Sequence, residues 1–282
     1  IRPCRTGRSE LDIVAMSSVE VQDSVLDRLD GRYGLSLGAF DGGDAPAKGD
    51  HIFFTGLVWT PKFSALFRHL SSRGIGFSVL VHDIIPLEGG DNVGAAEASR
   101  FAEWLVACLQ NADRLYVSTN VVRDQILRWA LLEGVEVAAT IVKIPFGSTP
   151  LKVEALSRTD DLQGRFPALE AGNFVLSVGT IDPRKNQIML CRLWRNLIAS
   201  GLEVPQLVLV GRDDLGLGKG HSIYRDLLRS GKLLVLSGVG DADIAALTAA
   251  CRFTAFPSTS EGYGLPVAES LMQGKLCLAS RL

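Results

Sequence analysis

Apolar residues along this chain fall into short continuous runs, and stretches of helical spacing separate them. His51-Ile52-Phe53-Phe54-Thr55, Phe77-Ser78-Val79-Leu80-Val81, Arg114-Leu115-Tyr116-Val117-Ser118 and Thr140-Ile141-Val142-Lys143-Ile144 read as strands. Between them, residues 61–73 place Phe63, Leu66, Phe67 and Leu70 on one face of a helix, and residues 97–111 and 121–132 are amphipathic. Strand alternating with helix predicts a parallel sheet with crossovers. Ahead of this rhythm lie a helix-like run over residues 19–29 and a Gly/Asp/Ala loop over 38–49. The rhythm fades between Pro145 and Asn173. That sets a linker over 151–173 between a first domain, 1–150, and a second, 174–282.

The second domain repeats the alternation. Phe174-Val175-Leu176-Ser177-Val178 and Gln206-Leu207-Val208-Leu209-Val210 are strands, as are residues 232–236, 251–256 and 275–279, the last read as buried. Helices are expected over 187–199, 222–228 and 241–250, the last capped by Asp241. A chain of 282 residues that is 47% hydrophobic suits two such domains. It begins at Ile1 in polar, irregular sequence and stops at Leu282 just after a strand, so we expect a fragment truncated at both ends.

Charge and cysteines exclude several functions. A net charge of −2 implies no broad basic face for nucleic acid. Cys4, Cys108, Cys191, Cys251 and Cys277 are scattered without a Cys-x-x-Cys pair, which fits reduced thiols in a cytoplasmic compartment and neither zinc nor a disulfide framework. No apolar run reaches the roughly 18 residues of a membrane span.

The chemistry concentrates where strands hand over to helices. Residues 257–269 follow one strand and open a helix at Pro266, so Gly262, Tyr263, Gly264 and Leu265 offer backbone amides at a helix start that suits a phosphate. Glu261 lies in that turn and Glu269 about one turn into the helix. Two carboxylates so placed suggest acceptors for sugar hydroxyls rather than a metal pair. A serine-rich turn with a glycine pair also occurs in α/β proteins that bind nothing, so the pattern alone leaves a structural role open. Gly179-Thr180-Ile181-Asp182-Pro183-Arg184-Lys185-Asn186 opens another helix, with adjacent cations able to neutralise a diphosphate or simply to be solvated. His82-Asp83 ends a strand of the first domain, and a lone histidine there is as readily structural as catalytic. Ser237-Gly238-Val239-Gly240 leaves a strand of the second domain. Residues 214–220 are glycine-rich, but the third glycine of a dinucleotide fingerprint would fall on His221, so they read as a surface loop. His51 and His69, like His221, are assigned to surface or packing.

Glu261, Gly262, Tyr263, Gly264, Leu265, Pro266 and Glu269 resemble the Glu-x7-Glu signature of family-4 retaining glycosyltransferases, nucleotide-sugar enzymes of the GT-B fold. The resemblance spans most of residues 51–282 and is strongest over 174–280. It implies an α/β, GT-B architecture: two Rossmann-like, doubly wound parallel-sheet domains facing across a cleft, both incomplete here, with the acceptor side in the first. It implies transfer of a hexose, mannose as first assignment, from a nucleotide-diphosphate sugar to a glycan or lipid-linked acceptor, as in surface polysaccharide biosynthesis. His82, Lys185 and Glu261 would be catalytic, with His82 near the donor sugar and Lys185 on the leaving diphosphate. Arg184, Gly238, Val239, Gly262, Tyr263, Gly264, Leu265 and Glu269 would bind donor, with Glu269 on the ribose diol and Gly238-Val239 beside the nucleobase. Many relatives have arginine directly after the glycine, where this chain has Thr180, and Arg184 is expected to take over that duty.

No metal or other cofactor is expected, because there is no paired acidic motif of the Asp-x-Asp type. The expected location is cytoplasmic, with peripheral association at the inner membrane face. A fragment would lack elements of the acceptor site. An epimerase or hydrolase on the same fold, and a non-catalytic glycan- or nucleotide-binding subunit, remain alternatives. A single diphospho-sugar can serve this site only if Glu261, Glu269 and Lys185 line one cleft.

Overall fold

The computed structural model describes residues 4–6, 9–11, 48–55, 59, 61–88, 94–144, 146, 162–213 and 222–282. The expected helix at 19–29, most of the 38–49 loop, residues 151–161 of the linker, the glycine-rich stretch 214–220 and His221 lie outside them. The chain divides into two compact units, Ile1–Pro145 and Phe146–Leu282.

In the first unit, β1 (Cys4–Thr6) and β2 (Ser9–Leu11) form a short antiparallel pair where the polar sequence had suggested irregular chain. The main sheet is parallel, in the order β3 (His51–Phe54), β4 (Gly76–Val81), β5 (Arg114–Val117), β6 (Thr140–Lys143). Helices α1 (Pro61–Ser72), α2 (Ala95–Asn111) and α3 (Asn120–Leu132) make the crossovers. The apolar stripe of α1 packs as its spacing predicts. Phe67 stacks on Phe77 at 4.7 Å between ring centroids, and the Phe54 ring meets Phe63, Phe67 and Phe77 edge-on. At the amino ends of these strands, His51 Nε2 lies 2.8 Å from Ser78 Oγ and its Nδ1 3.5 Å from Asp113. The trio has the composition of a hydrolase triad, but Ser78 is only 1% exposed, so no substrate reaches its hydroxyl. His51 is an exposed residue tied to its neighbours by these contacts.

The second unit holds a five-stranded parallel sheet in the order β11-β10-β7-β8-β9. Its strands are β7 (Phe174–Val178), β8 (Gln206–Val210), β9 (Leu233–Leu236), β10 (Phe253–Phe256) and β11 (Cys277–Ala279). Its helices are α4 (Leu162–Arg165), α5 (Gln187–Ala199), α6 (Ser222–Arg229), α7 (Asp241–Ala250) and α8 (Leu265–Met272). Two apolar layers explain why β7 and β8 read as unbroken hydrophobic runs. Val175, Leu207 and Leu209 pack with Leu190, Trp194 and Tyr224 of α5 and α6 on one face. Phe174, Leu176 and Val208 pack with Leu162, Ala246 and Leu247 on the other. Each large side chain so buried contributes about 1.5–3 kcal/mol. Burial also pushes the Cys191 thiol up to about 12 and that of Cys251 to about 11, so both are inert packing groups at neutral pH.

Two sequence expectations are corrected. The segment from Lys275 to Ala279 is not buried. Among the described residues strand β11 pairs only with β10, at the edge of their sheet, and Leu276 and Leu278 are more than half exposed. The N-cap of α7 is Gly240 and not Asp241, which instead sits with Asp243 in the first turn, where carboxylates oppose the positive helix end.

Candidate functional site

In the second unit the chain runs from β7 outward through β8 to β9, then crosses back so that β10 lies on the other side of β7. The carboxyl ends of β7 and β10 are therefore neighbours at the point where strand order reverses, which is where open α/β sheets bind ligands. The two turns singled out in the sequence, 179–186 and 257–264, leave these two strands.

The first turn is shaped by its own residues. Gly211 N–H donates to Leu236 and Gly179 N–H to Val210, which carries the ladder past the strand ends. A Cβ on Gly211 would lie 2.0 Å from the Gly179 carbonyl oxygen, so only glycine lets the turns approach. Asp182 then caps a short 3-10 turn, Pro183–Lys185, its carboxylate accepting from the Lys185 amide at 2.9 Å. Asn186 ends that turn in the left-handed region at φ 56°, the sole non-glycine residue there among those described. Gln187, only 3% exposed, donates to the Thr180 carbonyl at 2.9 Å.

The second turn is tied to the first at several points. The Thr259 amide and hydroxyl both donate to the Arg184 carbonyl, at 2.8 and 3.1 Å, and Asn186 Nδ2 donates to the Pro257 carbonyl. Arg184 Nη1 donates to the Ser260 carbonyl at 2.8 Å and to Glu261 Oε1 at 2.9 Å. Lys185 Nζ reaches the same Oε1 at 2.5 Å and lies 4.9 Å from the centre of the Phe256 ring. Only 14% of the Glu261 and Lys185 side chains is exposed, so these are screened little by solvent. Glu261 Oε2 has no partner among the described residues and is the oxygen left to accept a ligand hydroxyl.

Tyr263 is fixed by its hydroxyl, which donates to the Phe146 carbonyl at 2.9 Å, and by ring contact with Phe146. Gly264, at φ 79°, is the N-cap of α8, and Leu265 and Pro266 follow as its first residues. Having no side chain, Gly264 supplies no side-chain cap, and its carbonyl accepts from the Val267 amide at 3.0 Å. Leu265 is exposed.

Glu269 sits differently. Its carboxylate has no hydrogen bond or ion pair among the described residues and lines a cavity of about 20 Å³ with Val178, Ile244, Phe256 and Gln273. The Gln273 side-chain amide, which is buried, also lacks a partner there. Phe256 touches both parts of the site, its ring beneath Lys185 and the residue among those lining the Glu269 cavity.

Gly238, at φ 70°, and Val239 leave β9 as expected, and Ser237 Oγ donates to the Gly211 carbonyl at 3.0 Å, which holds this loop beside the end of β8. His82 belongs to the first unit. It leaves β4 with its Nε2 3.3 Å from the Thr55 carbonyl, while Asp83 accepts from the Ile85 amide at 3.1 Å. No cluster of metal-ligating side chains occurs among the described residues. Asp182, Asn186, Thr259, Phe256 and Phe146 were missed as site residues. The first was legible as a cap followed by proline, whereas the others act through contacts across more than 70 positions of sequence.

Residues 160–282 match the family described as Glycosyl transferases group 1. The serotype-specific mannosyltransferase WbdA of Escherichia coli is 25% identical over 243 residues, which cover 81% of this chain and 29% of WbdA. Among solved structures, Anabaena Alr3699/HepE in complex with UDP superposes with a TM-score of 0.60 at 16% identity, covering 82% of this chain and 59% of that one. The sucrose-phosphate synthase of Thermosynechococcus elongatus gives 0.59 at 19% identity, over 82% and 56%. The chain thus spans under a third of WbdA and somewhat more than half of each of these two structures. The fold is of the GT-B type, and the stretch similar to the glycosyl transferases group 1 family, residues 160–282, contains both turns of the site.

Proposed function

We propose that this protein is a retaining glycosyltransferase that moves a hexose, mannose as the first assignment, from a nucleotide-diphosphate sugar to a glycan or lipid-linked acceptor. The observation that carries this reading is the cluster of Arg184, Lys185 and Glu261 at the β7/β10 switch point, inside the stretch similar to the glycosyl transferases group 1 family. The mannose assignment is supported by the likeness to WbdA, a serotype-specific mannosyltransferase, and a nucleotide donor by the UDP held by the Anabaena protein; a role in surface polysaccharide biosynthesis is part of the same proposal.

In this reading Lys185 and the backbone amides of Gly262 to Leu265 face charge growing on the departing diphosphate. Groups fixed in place before that charge appears lower the barrier most. Glu261 offers Oε2 to the sugar hydroxyls, Glu269 takes the ribose diol, Gly238 and Val239 line the nucleobase, and His82 lies near the donor sugar. Neither glutamate need act as acid or base, so the chemistry is not that of a glycosidase pair. No metal takes part, and the enzyme works in the cytoplasm at the inner face of the membrane.

The test is a donor screen on the full-length protein with UDP- and GDP-sugars, with and without lipid-linked acceptor, reading the anomeric configuration of the product by NMR. Transfer with retention is expected. Donor turnover without acceptor would point to an epimerase or hydrolase, and binding without turnover to a non-catalytic subunit.

A further inference from the structure

Two cations share one oxygen of Glu261, and their settings differ. Arg184 is held on three sides. Its guanidinium bonds the Ser260 carbonyl as well as Glu261 and lies 4.0 Å from Asp182 Oδ2, while its backbone carbonyl accepts twice from Thr259. The Lys185 ammonium has Glu261 as its one hydrogen-bond partner among the described residues, and the Phe256 ring lies beneath it. A compact ammonium on a flexible stem can be re-aimed, whereas a forked guanidinium with two acceptors is locked.

We propose that Arg184 is the resident counter-ion of Glu261 and a positioning residue for the 257–264 turn, and that Lys185 is an exchangeable partner which passes from Glu261 to the diphosphate when donor binds. This deepens, and rests on, the glycosyl-donor reading above. It also revises the role expected for Arg184, which is not the stand-in for an arginine at position 180. An anion that draws Lys185 away would otherwise strip a mostly buried carboxylate of its only cation, at a cost that would oppose binding. With Arg184 in place, Glu261 stays paired and aimed while Lys185 moves.

The proposal has a signature that a direct phosphate ligand would not produce. The probes are UDP and GDP, titrated calorimetrically into the full-length protein without divalent metal. In Arg184→Met, diphosphate must compete with Glu261 for Lys185, so the Kd rises about tenfold. Adding Glu261→Gln removes the competitor and brings the double variant back to within threefold of wild type. If Arg184 bonds the diphosphate itself, or if the substitution merely loosens the fold, Glu261→Gln rescues nothing and the proposal is overturned. Should Arg184→Met fail to fold, Arg184→Lys with and without Glu261→Gln gives the same comparison with a smaller initial loss.

A second arm needs no ligand. Amide hydrogen exchange across 257–264 should rise at least tenfold in Arg184→Met and less than threefold in Lys185→Met. Equal loosening by both would show that neither cation is resident. Absence of nucleotide binding by the wild type would refute the donor reading, and the exchange comparison would still decide the role of Arg184.

Discussion

The two glutamates that frame the 261–269 element are seven residues apart in the intervening sequence and stand in opposite electrostatic states. Glu261 is doubly paired, mostly buried, and has one oxygen fully used by Arg184 and Lys185. Glu269 is unpaired among the described residues and faces a cavity about the size of one water molecule, where the Gln273 amide is also without a partner. Similar spacing on either side of a helix start therefore conceals two kinds of group. One is held rigid by protein cations, and the other is left unsatisfied, as a group that awaits a hydroxyl would be. Lys185 belongs with the first, and the comparison predicts that variants on the two sides fail in different ways.

The largest effect is expected at Lys185. If its ammonium meets the diphosphate as charge builds there, Lys185→Ala should lower turnover by about 30- to 1,000-fold, on the order of 2–4 kcal/mol of barrier, with a smaller change in donor affinity. Steady-state kinetics with the donor found by the screen measures both. Glu269→Gln comes next. It keeps the shape but weakens bonds to a diol that does not change during reaction, so the donor KM should rise about tenfold with little loss of turnover. The reverse pattern would exchange the two roles, and small equal losses would return the whole element to a structural one.

A control sits beneath both glutamates. Thr254 Oγ1 and Ser270 Oγ, both buried, lie 2.7 Å apart and tie β10 to α8. Ser270→Ala should cost about 1 kcal/mol, seen as a drop of a few degrees in Tm, and change the two kinetic signatures in parallel. The smallest effect is expected from chelation. With the cations of the site supplied by Arg184 and Lys185, EDTA should leave the rate unchanged within error, and loss of activity restored by manganese would reveal an unrecognised ligand set.

Much of the molecule was legible from local pattern. Strand β8 is fully buried and its run Gln206-Leu207-Val208-Leu209-Val210 contains nothing a turn or a surface helix would use. The α1 stripe, the Asp182-Pro183 cap and the proline at the start of α8 are likewise written in spacings of four residues or fewer. Strand β11 was misjudged because Leu276 and Leu278 look the same in a central strand and at an edge. Which of those they occupy depends on how many neighbours the sheet supplies.

The site divides along the same line. Sequence alone determined that two strand-to-helix turns carry a cation pair and a glutamate pair, because residue type and helix starts are local properties. Only the tertiary structure decided that these turns are neighbours, since β10 crosses back to lie beside β7 instead of following β9. That crossing brings Arg184 and Lys185 onto Glu261 across 76 or 77 positions of sequence, and leaves Glu269 over its cavity without a partner. Periodicity specifies which faces must be buried, but not which strand lies next to which. Pairing between distant turns is settled only when the whole sheet closes its core.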